Sequence, residues 1–171
     1  MTFDEAFDRL LGHEGGLSLD PKDSGNWTGG VIGEGELRGS KYGISAASFP
    51  ELDIANVTPA QAKAIFRTKF WDKVQGDKLV DGVAWQLSDT AYHSGPDRAI
   101  RLFQRALGVA DDGRFGKVSR AAADAMSETD QIMLVLAERL DFMTRLTGWN
   151  HNGRGWARRI AKNLRYGAID S

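Results

Sequence analysis

Apolar residues recur every three or four positions through most of this chain, and the rhythm fails in one stretch. Phe3, Phe7, Leu10 and Leu11 keep helical spacing, with Thr2 and Glu5 placed as a capping box, so the pattern predicts a helix over 3–14. Gly15-Gly16 would close it, because glycine readily takes the left-handed conformation past a helix end. Thr58-Pro59 is a helix start signal and opens a second helix running on through residues 60–74. Further helices are predicted over 82–94, 97–107, 117–126, 129–147 and 154–166, with Gly95-Pro96 and the Asp112-Gly113 turn as breaks. In the exceptional stretch, Gly25, Gly29, Gly30, Gly33, Gly35, Gly39 and Gly43 are set among the β-prone Trp27, Thr28, Val31, Ile32 and Tyr42. That mixture predicts an irregular loop followed by a small hairpin. The fold class is therefore mainly α, with a small β-hairpin and loop lobe near the N-terminus.

At 171 residues the chain can bury one sizeable core or two small lobes. It has no cysteine, which excludes disulfides and thiolate metal sites. The net charge of −1 conceals an asymmetry. Residues 1–60 carry four Lys/Arg against ten Asp/Glu, whereas residues 139–171 carry seven Lys/Arg against Asp141 and Asp170. A basic end fits an anionic partner or simply a solvated helix face, and no nucleic-acid recognition motif accompanies it. Acidic residues stand where a signal peptide would be basic, and no run approaches the ~20 apolar residues of a membrane span. The expectation is synthesis in the cytoplasm without a signal peptide and no stable membrane insertion.

Candidate chemistry begins at Glu14. It shares a helix face with Phe3, Phe7 and Leu10, so a carboxyl lies on the stripe that faces the core, at the end leading into the glycine-rich loop. Burial raises a glutamate pKa, as a general acid near neutral pH requires. A glutamate at a helix end also commonly just reaches solvent. Asp23 follows nine residues later, and Thr28 five after that. A glycosidase places two carboxyl groups across the scissile bond, one protonated and one not, and a threonine hydroxyl can orient water. Singly, Asp23 reads as a turn residue and Thr28 as a strand residue; the three together at this spacing do not.

The run Glu14-Gly15-Gly16, then Asp20-Pro21-Lys22-Asp23, Gly25, Thr28 and Tyr42-Gly43-Ile44-Ser45 resembles the N-terminal signature of glycoside hydrolase family 108. That family comprises phage and prophage N-acetylmuramidases with a compact lysozyme-like helical fold. The resemblance implies that Glu14 is the catalytic acid, with Asp23 and Thr28 as its active-site companions. The chain departs from the family at Ser24 and Asn26, and in the extra residues 29–41, whose Glu34 and Glu36 are alternative sources of the second carboxylate. Asp89, Gly95 and the run 99–116, then 136–146 and Gly155-Trp156-Ala157-Arg158-Arg159, are similar to the helical peptidoglycan-binding domain that usually follows. His93 stands where that domain often has Asn.

Among the tryptophans, Trp71 and Trp85 read as core, while Trp27, beside Thr28, reads as a sugar-stacking residue, with Tyr42 joining it. On the last helix, Trp156 and Ile160 should pack inward and much of the charge should face water. The expected organisation is a catalytic region over 1–88 and a peptidoglycan-binding region over 89–171 packed against it. The expected activity is endolysin-type hydrolysis of the β-1,4 bond between N-acetylmuramic acid and N-acetylglucosamine. Glu14, Asp23 and Thr28 would be catalytic, and Trp27, Tyr42 and His93 would bind substrate. No metal or cofactor, no nucleic acid and a monomer are expected, with release to the cell wall through a holin in a phage setting. A lytic transglycosylase and a non-catalytic wall-binding protein are the competing readings.

Overall fold

The computed structural model describes residues 1–11 and 16–170. Glu14, and with it the predicted end of the first helix at Gly15, lies outside the described residues. The chain divides into two compact units, Asp4–Phe66 and a larger one formed by Met1–Phe3 with the chain from Arg67 onward.

The smaller unit takes most of α1 (Phe3–Leu11), which buries Ala6, Phe7 and Leu10 as its spacing dictates. It ends on α2 (Pro59–Phe66). Phe7 meets Phe66 at a ring separation of 5.8 Å, and Ile44, Ala46, Ile54, Val57 and Ala62 complete the core. A reciprocal cap starts α2: Gln61 N–H donates to Thr58 Oγ1 at 3.2 Å, and Thr58 N–H donates to Gln61 Oε1 at 2.9 Å. The predicted hairpin is smaller than its β-prone residues suggest. Strand β1 (Ser40–Lys41) pairs antiparallel with β2 (Ile44–Ser45), and beyond it, among the described residues, only single bridges join Ser18 to Ser40 and Trp27 to Leu37. The second predicted helix also differs: it is α only to Phe66 and becomes a π turn over Arg67–Trp71, where Arg67 pairs with Asp72 and Asp77.

The larger unit is built on helices: α3 (Asp81–Ser94), α4 (Pro96–Ala106), α5 (Lys117–Asp124), α6 (Glu128–Thr144) and α7 (Trp149–Asp170). Residues 82–91 of α3 are all buried, and the helix runs unbroken through positions 88 and 89. Trp85 and Trp71 are core residues, as expected. Helix α7 is longer than the predicted 154–166. It carries Ile160 inward, packs Trp156 against the core, and leaves Arg158 and Arg165 exposed. Ile132 of α6 fits between two glycines on different helices, since a Cβ on Gly82 of α3 or on Gly167 of α7 would stand 2.6 Å from its carbons. No described helix is long and apolar enough to cross a membrane.

Candidate active site

Asp23 belongs to a tightly wired turn in the smaller unit. Its N–H donates to Asp20 O at 3.2 Å, and its carboxylate Oδ1 accepts from Gly25 N–H at 2.9 Å, capping a 3-10 turn over Ser24–Asn26. The side chain is exposed, and its second oxygen has no hydrogen-bond partner among the described residues. Asn26, fully buried, anchors this turn to the rest of the loop. Its Nδ2 donates to Asp20 O at 3.0 Å, while its carbonyl accepts from Arg38 N–H at 3.0 Å and Gly39 N–H at 2.9 Å. Trp27 follows, half-buried, with its indole N–H donating to Pro21 O at 3.0 Å.

Thr28 is fixed by the extra residues that follow it. Its N–H donates to Glu36 O at 3.0 Å, and its Oγ1 accepts from Glu36 N–H at 2.9 Å. Only a glycine fits at position 35: φ is +78°, and a Cβ there would collide with the Thr28 hydroxyl. With one lone pair committed to Glu36 N–H, the hydroxyl keeps its proton to donate. The alternative carboxylates are differently placed. Glu36 Oε2 is gripped by Arg38 through Nε at 2.7 Å and Nη2 at 2.6 Å, while the exposed Glu34 carries the turn closed by Gly29 N–H to Glu34 O at 3.1 Å. Tyr42 is the first central residue of the β1–β2 turn, with φ of 51° followed by 67° at Gly43, the geometry of a type I′ hairpin. The Lys41 ammonium lies 5.4 Å from its ring centroid.

One loop thus gathers Asp23, Trp27 and Thr28, with Tyr42 on the adjoining hairpin. A groove of about 450 Å³ in the same unit is lined by Leu17, Leu19, Leu37, Arg38, Glu51 and Ile54, and by none of those four residues. His93 belongs to the larger unit, on the last turn of α3. Its ring stands edge-on to Trp156 at 5.8 Å, and Nδ1 lies 3.3 Å from Ser94 Oγ. Burial first, then the nearby Arg139 and Arg159, push its pKa down to about 4, so it is neutral at physiological pH. The stabilisation from holding it neutral is full above the unfolded imidazole's ~6.5 and is lost as pH falls from there towards 4. Stability measured by urea unfolding at pH 7.5 and pH 4.5 should therefore drop by up to about 3 kcal/mol from this residue. His93→Gln should reduce that drop; an equal drop in both proteins would show that His93 does not contribute it.

Sequence reasoning passed over the partners of Asp89. This carboxylate, entirely buried, accepts from Arg139 Nη1 at 2.7 Å, Arg159 Nη2 at 2.6 Å and Asn163 Nδ2 at 2.6 Å. Burial raises its pKa, but the two guanidiniums outweigh that and hold it far below the usual carboxylate range. The signal was a charged residue inside a helix segment with no exposed face, which must be paired. Among the described residues, no three His, Asp or Glu side chains gather as a metal site.

The family model for Glycosyl hydrolase 108 matches residues 7–95, a segment that contains the whole loop just described. The chain belongs to the glycosyl hydrolase 108 family. Like the rest of that family it is a glycoside hydrolase, an N-acetylmuramidase that degrades peptidoglycan. Among solved structures, that of Brucella abortus SagA is similar over 99% of this chain and 95% of its own, at 29% identity and a TM-score of 0.87. No curated protein matches the chain. The likeness to the solved structure extends past residue 95 and takes in α4 to α7, so the mainly α, lysozyme-like fold is shared with that structure.

Proposed function

We propose that this enzyme is an endolysin-type muramidase that hydrolyses the β-1,4 bond between N-acetylmuramic acid and N-acetylglucosamine. Glu14 protonates the leaving oxygen, and Asp23 with Thr28 activates water or stabilises positive charge on the sugar ring. Trp27 and Tyr42 present ring faces to the glycan, and a neutral His93 contacts it from the region over 89–171, which holds the wall. The enzyme acts at the cell wall after release from the cytoplasm where it is made, by a holin where a phage encodes it.

The observation that carries this reading is the wiring of the loop. Asp23 keeps one oxygen open at the surface, and Thr28 is held as a donor by a contact that only Gly35 permits. Glu36 fits the role of second carboxylate less well, because Arg38 grips it from two nitrogens. Mass spectrometry of muropeptides released from purified sacculi tests the bond. Reducing-end N-acetylmuramic acid is the expected product, and anhydro-muramic ends would instead assign a lytic transglycosylase. Asp23→Asn and Thr28→Ala should each lower the release rate, by roughly tenfold, a smaller loss than removal of the general acid causes. Silence of both, with severe loss in Glu36→Gln, would move the second carboxylate to the glycine-built loop.

A further inference from the structure

Helix α7 carries Arg154, Arg158, Arg159, Lys162 and Arg165 against a single acid, Asp170, its last residue. Of these, Arg154, Arg158 and Arg165 are exposed. At 100° per residue they fall within about 40° of one another around the helix, so they form one cationic edge. None of the three makes an ion pair among the described residues, whereas Arg139, Arg145 and Arg159 pair with Asp89 or Asp141. One exposed charge contact contributes little, but an edge of several attracts an anionic ligand.

At its N-terminal end this edge borders a groove. Trp149, Asn150, Gly153, Arg154 and Ala157 line a space of about 360 Å³. Glycine at 153 is what lets the Trp149 indole lie across the helix, because a Cβ there would stand 2.9 Å from the ring. The half-buried indole also packs against Trp156 at 6.1 Å, and Trp156 in turn meets His93 at 5.8 Å. A ring held in this way offers a fixed surface to the apolar face of a sugar, and the exposed Asn150 supplies an amide for its polar rim. The guanidiniums beside it match the planar geometry of a carboxylate. Peptidoglycan joins both chemistries, since its N-acetylated sugars carry peptide stems with free carboxylates. We infer that the Trp149 groove takes a sugar of peptidoglycan while Arg154 and Arg158 pair with carboxylates of its peptide stem. This rests on the reading that the region over 89–171 holds the wall, and is independent of which residues cleave the glycan.

The disaccharide-tetrapeptide muropeptide, a product of cleavage and so not turned over, tests the site on the intact enzyme. It would be titrated against the Trp149 indole N–H resonance, assigned through Trp149→Phe, beside diacetylchitobiose and the free tetrapeptide. The muropeptide should shift that resonance and bind at least tenfold tighter than either half alone. Arg154→Gln with Arg158→Gln, both at exposed positions, should weaken it about tenfold, the scale of two exposed charge contacts together. Lys73→Gln with Lys117→Gln removes the same charge from exposed positions elsewhere in the larger unit and should leave binding unchanged. An unmoved Trp149 resonance, parental binding by the arginine variant, or an equal loss in the lysine variant would overturn the site. Phosphatidylglycerol vesicles bound through the two arginines, with muropeptide binding indifferent to them, would also overturn it and assign the edge to a membrane. Release of muropeptides from sacculi by the parent reads the muramidase activity separately. Muropeptide binding at Trp149 without such release would overturn the cleavage mechanism and leave this site standing.

Discussion

Glu14→Gln should lower muropeptide release from purified sacculi by about 100-fold or more, the scale expected when general acid catalysis is removed. Glutamine keeps the shape and hydrogen-bonding reach of the side chain but has no carboxyl proton to give the leaving oxygen. The expectation grows from the helical spacing that, in the sequence, sets Glu14 in register with Phe7 and Leu10, and from its place within the segment matched to the family. Its thermal unfolding midpoint should stay near that of the parent, since the exchange removes no buried apolar surface. Sacculi lysed by the variant at the parental rate would show that another group supplies the proton, and Asp23 would be the next to test.

The largest effect on stability is expected at Asp89. Asp89→Asn leaves Arg139 and Arg159 facing one another without the carboxylate that holds both. Breaking a buried pair from one side typically costs about 3–5 kcal/mol. For a chain of this size that corresponds to a fall of roughly 6–20 °C in the unfolding midpoint, read by circular dichroism. The pH dependence has a defined sign. Because the folded carboxyl is held below its unfolded value of ~3.9, its contribution is complete above that pH and fades as the solution is acidified further. The window lies below that of His93, so acid titration of the parent should show two separate losses of stability. A cost under about 1 kcal/mol for Asp89→Asn would mean that the arginines find other partners.

The helices that follow residue 80 were legible in the sequence because their cues are local: Gly95-Pro96 separates α3 from α4, and apolar spacing marks α6. The sequence underestimates helix α7 at both ends because Gly153 and Gly167 argue against helix, while packing overrides them. Trp149 lies across Gly153, and Ile132 against Gly167. The sequence predicts a loop with a hairpin in the glycine-rich stretch, and that much is right. Its strands are short because residues at φ near +80°, such as Gly33, Gly35 and Gly39, interrupt any ladder. The Thr28–Glu36 contact could not be foreseen, since it depends on a turn geometry that spacing does not encode. Asp89 and its two arginines stand 50 and 70 positions apart, beyond any periodicity rule, and only the demand that a buried charge be paired pointed to them.

The wedge of Ile132 between Gly82 and Gly167 ties α3, α6 and α7 into a mechanical interlock. With the side chain seated in a notch on each neighbour, α7 cannot slide along α6 by part of a turn without lifting over a methyl group. Small sliding adjustments, the usual way packed helices relax, are thereby suppressed at this junction. The backbone amides of the three helices around it should consequently exchange with solvent as one cooperative unit, opening only when the whole helical unit unfolds.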